Sequence, residues 1–467
     1  MHLVIYTSTI KIMTKINKIL LSLLFVWYSN GLLNAQTQVP SIISSNQVWT
    51  AAGSPYVISA NTLLHNGYTI RVMPGTTIES NGTSRLIVNG EFIAEGTVDS
   101  VITIDKLNFQ FTDISKGYDF DSSTGSHFNY CFFKGVSTGG NKTIDIDKIS
   151  LLITNCRFLN HYYAIYGVNG YQDSVKIKIL KTIFESSPNS QSYGYVMYIN
   201  GNKSMVEMDE CSIINQYGMS LGNFTKVTRC LFQNYGSYSG IRVNLYASSS
   251  IVFHCNTFRN FKTSVFDILG SSSSANVDIS NNTFDSADNF ITISYSNSMV
   301  SRPSIKNNNF LYCKNYAVRF YASSTSGLSD TFSFTNNYWG TVDTAIIKSK
   351  IYDFNDNITV VGVADYSSFL SSPIYTCTED QVSVNKLSST EFNLYPNPSN
   401  GYTILKFKDD AVKTVTLFDM KGIVVYEESS NGFEHYINLK DLNSGVYVVE
   451  VKEVGKLASY HKLLLEN

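Results

Sequence analysis

The chain repeats itself about every 26 residues, and no other feature limits its possible folds as much. Four lines of the repeat are 251–258 (IVFHCNTF), 277–284 (VDISNNTF), 304–310 (SIKNNNF) and 332–339 (FSFTNNYW). Taking the closing residue as an anchor, the series is Phe133, Phe158, Phe184, Ile213, Phe232, Phe258, Phe284, Phe310 and Trp339. The steps are 25, 26, 29, 19, 26, 26, 26 and 29 residues. Five residues before each anchor stands a second apolar column: Phe128, Ile153, Ile179, Met208, Val227, Phe253, Ile279, Ile305 and Phe334. A unit of this size cannot bury its apolar face alone, so neighbouring units must stack.

The units lack the i, i+3, i+4, i+7 spacing of helical repeats. They show short alternations such as Val277-Asp278-Ile279, broken by Asn, Ser and Gly, which is strand punctuation. The expected fold is therefore all-β, with one coil of a parallel β-helix per unit. Residues 45–375 resemble the right-handed parallel β-helix repeat family, through the ladder above and the stretches 74–78 (PGTTI) and 89–97 (NGEFIAEGT). Gly75, Gly90 and Gly96 fit bends that need a positive φ. Stacked coils put equivalent residues about 4.8 Å apart. Two places before the anchors come Cys131, Cys156, Thr182, Cys211, Cys230, Asn256, Asn282, Asn308 and Asn337. This column reads as buried, with Asn side chains bonding to one another and to the backbone, and Cys as a small hydrophobe. The segment from Asp343, with Ile346, Ile347 and Ile351 at helical spacing, resembles the short helix that closes such a solenoid.

Residues 1–35 read as an export signal: Lys15 and Lys18, then an apolar run at 19–27 (ILLSLLFVW), then a cleavage point after Ala35. Nothing else is apolar enough to cross a membrane, so the mature chain is expected to lack a transmembrane segment. The β-helix with its caps is assigned to 36–375 and a polar linker to 376–390. Residues 391–467 alternate as a small β-sandwich. That last part resembles the type A C-terminal sorting domain of the type IX secretion system. The resemblance rests on 394–398 (LYPNP) with Gly401, on 417–422 (LFDMKG) and on 442–447 (LNSGVY). Its motif residues are Pro396, Asn397, Pro398, Gly401, Gly422, Gly445 and Tyr447. The resemblance implies the type IX secretion machinery as partner and a cell-surface or extracellular destination.

Charged residues make up 15% of the chain and the net charge is −2, without a Lys/Arg cluster, which excludes a nucleic-acid partner. The seven cysteines lack CxxC or Cys/His ligand spacing, so no metal and no cofactor is expected. Cys131/Cys156 and Cys211/Cys230 lie one coil apart and read as stacked thiols. Asp119/Asp121, Asp145/Asp147 and Asp353/Asp356 read as solvated surface. Four stretches, at Asp99, Asp173, Asp285 and Asp343, resemble a bacterial O-glycosylation acceptor motif.

Seven triplets at coil spacing place Tyr166, Tyr198, Ser220, Arg242, Asp267, Thr292 and Arg319 in one outward column. A second outward column holds Lys178, Glu207, Asp209, Lys226, His254, Asp278 and Lys306. The candidate ligand face is Tyr166, Tyr198, Arg242, Asp267 and Arg319: rings for sugars and guanidinium forks for uronate carboxylates. The expected function is a monomeric, non-catalytic, adhesin-like glycan-binding module. The alternative is a lyase, hydrolase or esterase acting on acidic polysaccharide. Catalytic residues stay unassigned, since the sequence lacks the Asn-Thr-Asp, Gly-His-Gly and Arg-Ile-Lys motifs of polygalacturonase-like β-helices and the clustered Asp trio of calcium lyases.

Overall fold

The computed structural model describes residues 36–466, except 136–139, 169–174, 187–194, 201–203, 222–223, 235–239, 246–248, 271–274, 296–301, 322–330, 361, 375–376, 378–391, 420–422 and 454–458. The export signal expected at 1–35, nearly all of the linker and Gly422 therefore lie outside the described residues.

Alternating short strands and turns wind the repeats into a parallel β-solenoid with three faces. The first face carries the anchors, on strands such as Cys131–Lys134, Arg157–Leu159 and Leu231–Gln233. The second includes Lys142–Ile146, Tyr163–Val168, Tyr195–Asn200 and Ile241–Leu245. The third includes Leu151–Thr154, Val175–Leu180, Ser204–Asp209, Phe224–Thr228 and Ser250–His254. Among the described residues the third face is an 11-stranded sheet, and the first two share one continuous hydrogen-bonded set of strands.

The strand registers follow the sequence columns. Phe133 pairs with Phe158, Phe158 with Phe184, Phe232 with Phe258 and Phe258 with Phe284. Their rings lie 4.3 to 5.0 Å apart and nearly parallel, forming an aromatic stack through the core. The second apolar column runs along the third face, as in Phe128–Ile153–Ile179–Met208. Both columns are buried. Burying a side chain of this size is worth about 1.5–3 kcal/mol, and each rung contributes at least two.

The corner between third and first faces is built the same way in every unit. One residue takes a left-handed φ between 48° and 59°: Tyr130, Asn155, Lys181, Glu210, Arg229, Cys255, Asn281, Asn307 and Asn336. The next residue turns inward and is the Cys/Thr/Asn column, buried throughout. Left-handed backbone is costly for a residue with a Cβ, so something must hold it. In the upper coils that is an asparagine ladder. The Nδ2 groups of Asn256, Asn282 and Asn308 donate to the Oδ1 of the next Asn at 3.0, 3.1 and 3.1 Å. The same Oδ1 atoms accept the Asn256, Asn282 and Asn308 backbone N–H at 2.8, 2.9 and 2.8 Å. Each Nδ2 also reaches back to the preceding coil, Asn282 to the Phe253 carbonyl at 2.9 Å and Asn308 to that of Ile279 at 2.8 Å. In the lower coils Thr182 Oγ1 accepts from Cys156 N at 3.3 Å, and Cys230 Sγ from Cys211 N at 3.3 Å.

Several local expectations need correction. Gly75 does take a left-handed φ of 75°. Gly90 and Gly96 do not. A Cβ at Gly90 would lie 2.1 Å from the Tyr68 carbonyl, and one at Gly96 2.4 Å from that of Tyr130, so close backbone approach is what demands glycine there. The closing helix is shorter than the apolar spacing suggests, Thr344–Ser349, with Asp343 Oδ1 accepting from Ala345 N at 2.8 Å. Ile351 begins a strand that pairs with Val318 and extends the second face. Asp353 is buried, not solvated: it accepts from Lys348 Nζ (3.1 Å), Asn355 N (3.0 Å) and Ala364 N (3.1 Å) and ties the helix to the closing strand.

The C-terminal part forms two antiparallel sheets. One holds Phe392–Tyr395, Tyr402–Phe407 and Glu434–Asn438. The other holds Val412–Phe418, Val424–Asn431, Gly445–Glu453 and Ser459–Leu465. Leu405, Val415, Leu417, Ile437, Val449, Val451 and Leu463 are among the buried residues of their common core.

Asn282→Ala removes an acceptor from two buried donors and a donor from the Phe253 carbonyl. The loss of a buried partner costs about 1–3 kcal/mol, so chemical denaturation is expected to show a destabilisation of about 2–4 kcal/mol. Lys306→Ala, at the exposed end of a third-face strand, is expected to stay within about 0.5 kcal/mol of the parent.

Candidate functional site

The second face carries the outward column. Parallel register joins Tyr166 to Tyr198, Tyr198 to Ser220, Ser220 to Arg242, Arg242 to Asp267, Asp267 to Thr292 and Thr292 to Arg319. It continues to Asp145 at one end and Tyr352 at the other. The five candidate residues thus share one line, with Arg242 exposed and the other four half-buried. Thr292 is buried within the line, its hydroxyl 2.7 Å from that of Ser264.

The tyrosines are not laid flat for a sugar. Tyr166 and Tyr198 stack on each other at 5.4 Å and 11°, as Tyr163 and Tyr195 do at 5.3 Å and 19°. Lys142 Nζ sits 3.6 Å from the Tyr166 ring centre and also bonds Asp145 Oδ2 at 3.0 Å. One-rung spacing is close to ring-stacking distance, so identical neighbours turn to each other and offer edges and hydroxyls outward. At the other end the Arg319 guanidinium lies 5.0 Å from the Tyr321 ring centre and 6.0 Å from that of Tyr352. Its buried Nε has no hydrogen-bond partner among the described residues. Burial pushes the Asp267 carboxyl above its ordinary range, against the Arg242 charge and the Ser264 hydroxyl.

The third face carries the other outward residues in two rows. One runs Lys178–Glu207–Lys226–Val252–Asp278, the other Leu180–Asp209–Thr228–His254–Ser280–Lys306. An open recess of about 310 Å³ lies among Lys178, Glu207, Asp209, Lys226, Arg229 and His254. Lys176 and Lys178 hold Glu207 at 3.3 and 3.4 Å. Arg229 forks onto Asp209, which also accepts from Thr228 Oγ1 at 2.6 Å. The sequence marked these residues as charged but gave no sign of the concavity.

A disulfide joins Cys255, at the left-handed corner position, to Cys377, across a sequence separation of 122. It was not expected from the sequence. Residues 368–374 run back down the corner as a strap. Leu370 N bonds the Asn337 carbonyl at 3.0 Å, and Asn309 clamps Ile374 by 2.6 and 2.8 Å bonds. His254 lies beside the bridge, and one ligand atom from each of His254, Cys255 and Cys377 falls within 4.8 Å of the others. Both sulfurs are spent on each other, which removes them as metal ligands. Cys131, Cys156, Cys211 and Cys230 are buried free thiols, as stacking suggested. Burial, with Cys156 beside it, pushes the Cys131 thiol well up; burial and Cys211 do the same for Cys230.

In the C-terminal part the motif residues hold the last strand. Asn397 Nδ2 donates to the Lys462 carbonyl at 2.6 Å and its Oδ1 accepts Leu464 N at 2.9 Å. The Pro396 carbonyl accepts from Thr403 Oγ1 at 3.2 Å, and Pro398 leads into Ser399, whose N–H bonds the Leu464 carbonyl at 2.8 Å. Gly401 turns with φ 83°, Gly445 pairs with Leu465, and the Tyr447 hydroxyl donates to the Asn443 carbonyl at 2.7 Å. Residues 393–466 match the secretion system C-terminal sorting domain family. The sorting domain marks this chain for type IX export to the cell surface or medium and makes the secretion machinery its partner. No curated protein matches the chain. No helix among the described residues is long and apolar enough to cross a membrane.

Alkylation followed by peptide mapping is expected to modify Cys131, Cys156, Cys211 and Cys230 once the chain is denatured, without reductant. Cys255 and Cys377 are expected to appear as one linked peptide pair until reduced. A linked pair among the first four would contradict this assignment.

Proposed function

We propose that the solenoid is a non-catalytic, adhesin-like module that binds acidic glycans along its second face, exported and displayed through its sorting domain. The observation carrying this reading is the continuous register from Tyr166 to Arg319. An extended polymer can lie along such a line without ordering a loop, which keeps the entropic cost of binding low. The tyrosine end offers ring edges and hydroxyls. The Arg242 and Arg319 end offers guanidinium groups, with Arg319 half-buried beside the Tyr321 and Tyr352 rings. Guanidinium forks match carboxylate and sulfate geometry. Asp267, next to Arg242, restricts where a polymer's negative charge can sit.

The test is surface binding of a panel of uronate and sulfated polymers. Wild type is expected to retain at least one polyanion, with affinity falling as salt rises. Arg242→Ala and Arg319→Ala should each cost about 1–3 kcal/mol, the weight of a charge-assisted hydrogen bond. Lys306→Ala, on the third face, should leave binding unchanged. Full binding by both arginine variants, or retention of no polymer by wild type, would refute the reading.

A further inference from the structure

We propose that the third-face recess is a second ligand site, built for one sugar-sized monoanion of the hexuronate class. Its volume of about 310 Å³ is at the small end of ligand pockets, enough for a single pyranose. Apart from Leu180 and Cys255 its lining is charged or hydrogen-bonding: Lys178, Glu207, Asp209, Lys226, Thr228, Arg229 and His254. The exposed lining is apolar and polar in similar measure, which suits a pyranose with its C–H faces and its ring of hydroxyls.

The charges say what else the guest must carry. Three cations face two carboxylates in the lining, a surplus of one positive charge with His254 neutral. The carboxylates are already engaged. Burial would raise Glu207, but Lys178 and Lys176 outweigh it and hold the group below its ordinary range. Burial likewise opposes ionisation of Asp209, and Arg229 and Thr228, with a smaller contribution from the Lys226 charge, prevail. These contacts engage Lys176, Lys178 and Arg229 with protein carboxylates. Lys226 enters none of those pairs and is exposed at the recess. Its charge also acts on Asp209, but it makes none of the close ion pairs above, and that makes it the cation best placed to meet a ligand carboxylate.

His254 adds direction. Its Nδ1 lies 3.4 Å from the Ser280 hydroxyl and 3.3 Å from the Asn281 amide nitrogen, which fixes the ring and leaves Nε2 for the ligand. The Cys255–Cys377 bridge follows immediately in the chain and holds this corner of the recess in place. Sugar hydroxyls can donate to the remaining lone pairs of Glu207 and Asp209 while the carboxylate meets Lys226.

Calorimetric titration of the full chain, bridge intact, with sodium galacturonate and sodium glucuronate tests this directly. Saturable binding of at least one hexuronate is expected, with methyl galactoside binding at least about tenfold more weakly. Lys226→Ala, and Lys226→Gln, which keeps most of the stem, should both lose at least about tenfold in affinity. His254→Gln should weaken binding, and Lys306→Ala, two rungs from His254 on the same face, should not. The proposal is overturned if neither hexuronate binds saturably, if the neutral sugar binds as well, or if both Lys226 variants bind like wild type.

Discussion

The left-handed corner and the buried side chain that follows it fix the rest of the solenoid. A parallel stack needs each coil to re-enter the first face at the same height, and in the repeats from Tyr130 to Asn336 one residue at this corner takes a positive φ to achieve this. The next residue satisfies the backbone that the turn leaves buried. Where it is Asn, one amide bridges three coils: Asn282 receives from Asn256, donates to Asn308 and reaches back to the Phe253 carbonyl. Aromatic stacking is then a consequence, because coils locked in register bring Phe258 and Phe284 to 4.9 Å. So are the outward columns on which a binding face depends.

That logic explains what the sequence reveals. A column repeats with the coil, so its period is visible without any structure; both apolar columns, the ladder and the Tyr166–Arg319 line fall where the spacing puts them. Features that break the repeat are not visible in this way. Cys255 occupies the corner position, one place before the ladder, so it belongs to no cysteine column, and its partner Cys377 lies beyond the last repeat. Gly90 and Gly96 look like turn glycines, yet a carbonyl of a neighbouring coil is what excludes a Cβ. Asp353 looks like a surface carboxylate, but the closing strand buries it. The third-face recess involves several coils at once, and the 19-residue step of the repeat falls between two of its lining residues, Asp209 and Thr228.

The sorting domain and the solenoid divide the work. Asn397 and Tyr447 brace the C-terminal strands of the export tail, so its sequence motifs are structural before they are signals. The solenoid supplies a long surface on which each rung is an independent choice of side chain. Ring stacking limits that choice, since Tyr166 and Tyr198 spend their faces on each other. In the proposed binding modes, polar recognition therefore falls to hydroxyls and guanidinium groups on the second face, and to Lys226 and His254 on the third.

Native-state hydrogen exchange tests the central claim most directly. If the corner ladder holds the coils together, the backbone amides of Cys230, Asn256, Asn282 and Asn308, which donate to ladder Oδ1 atoms, should be among the slowest in the chain and exchange only when the whole solenoid opens. Exchange of these amides at the rate of exposed turns, while the strands between them stay protected, would contradict it and leave strand pairing and core burial as the source of order.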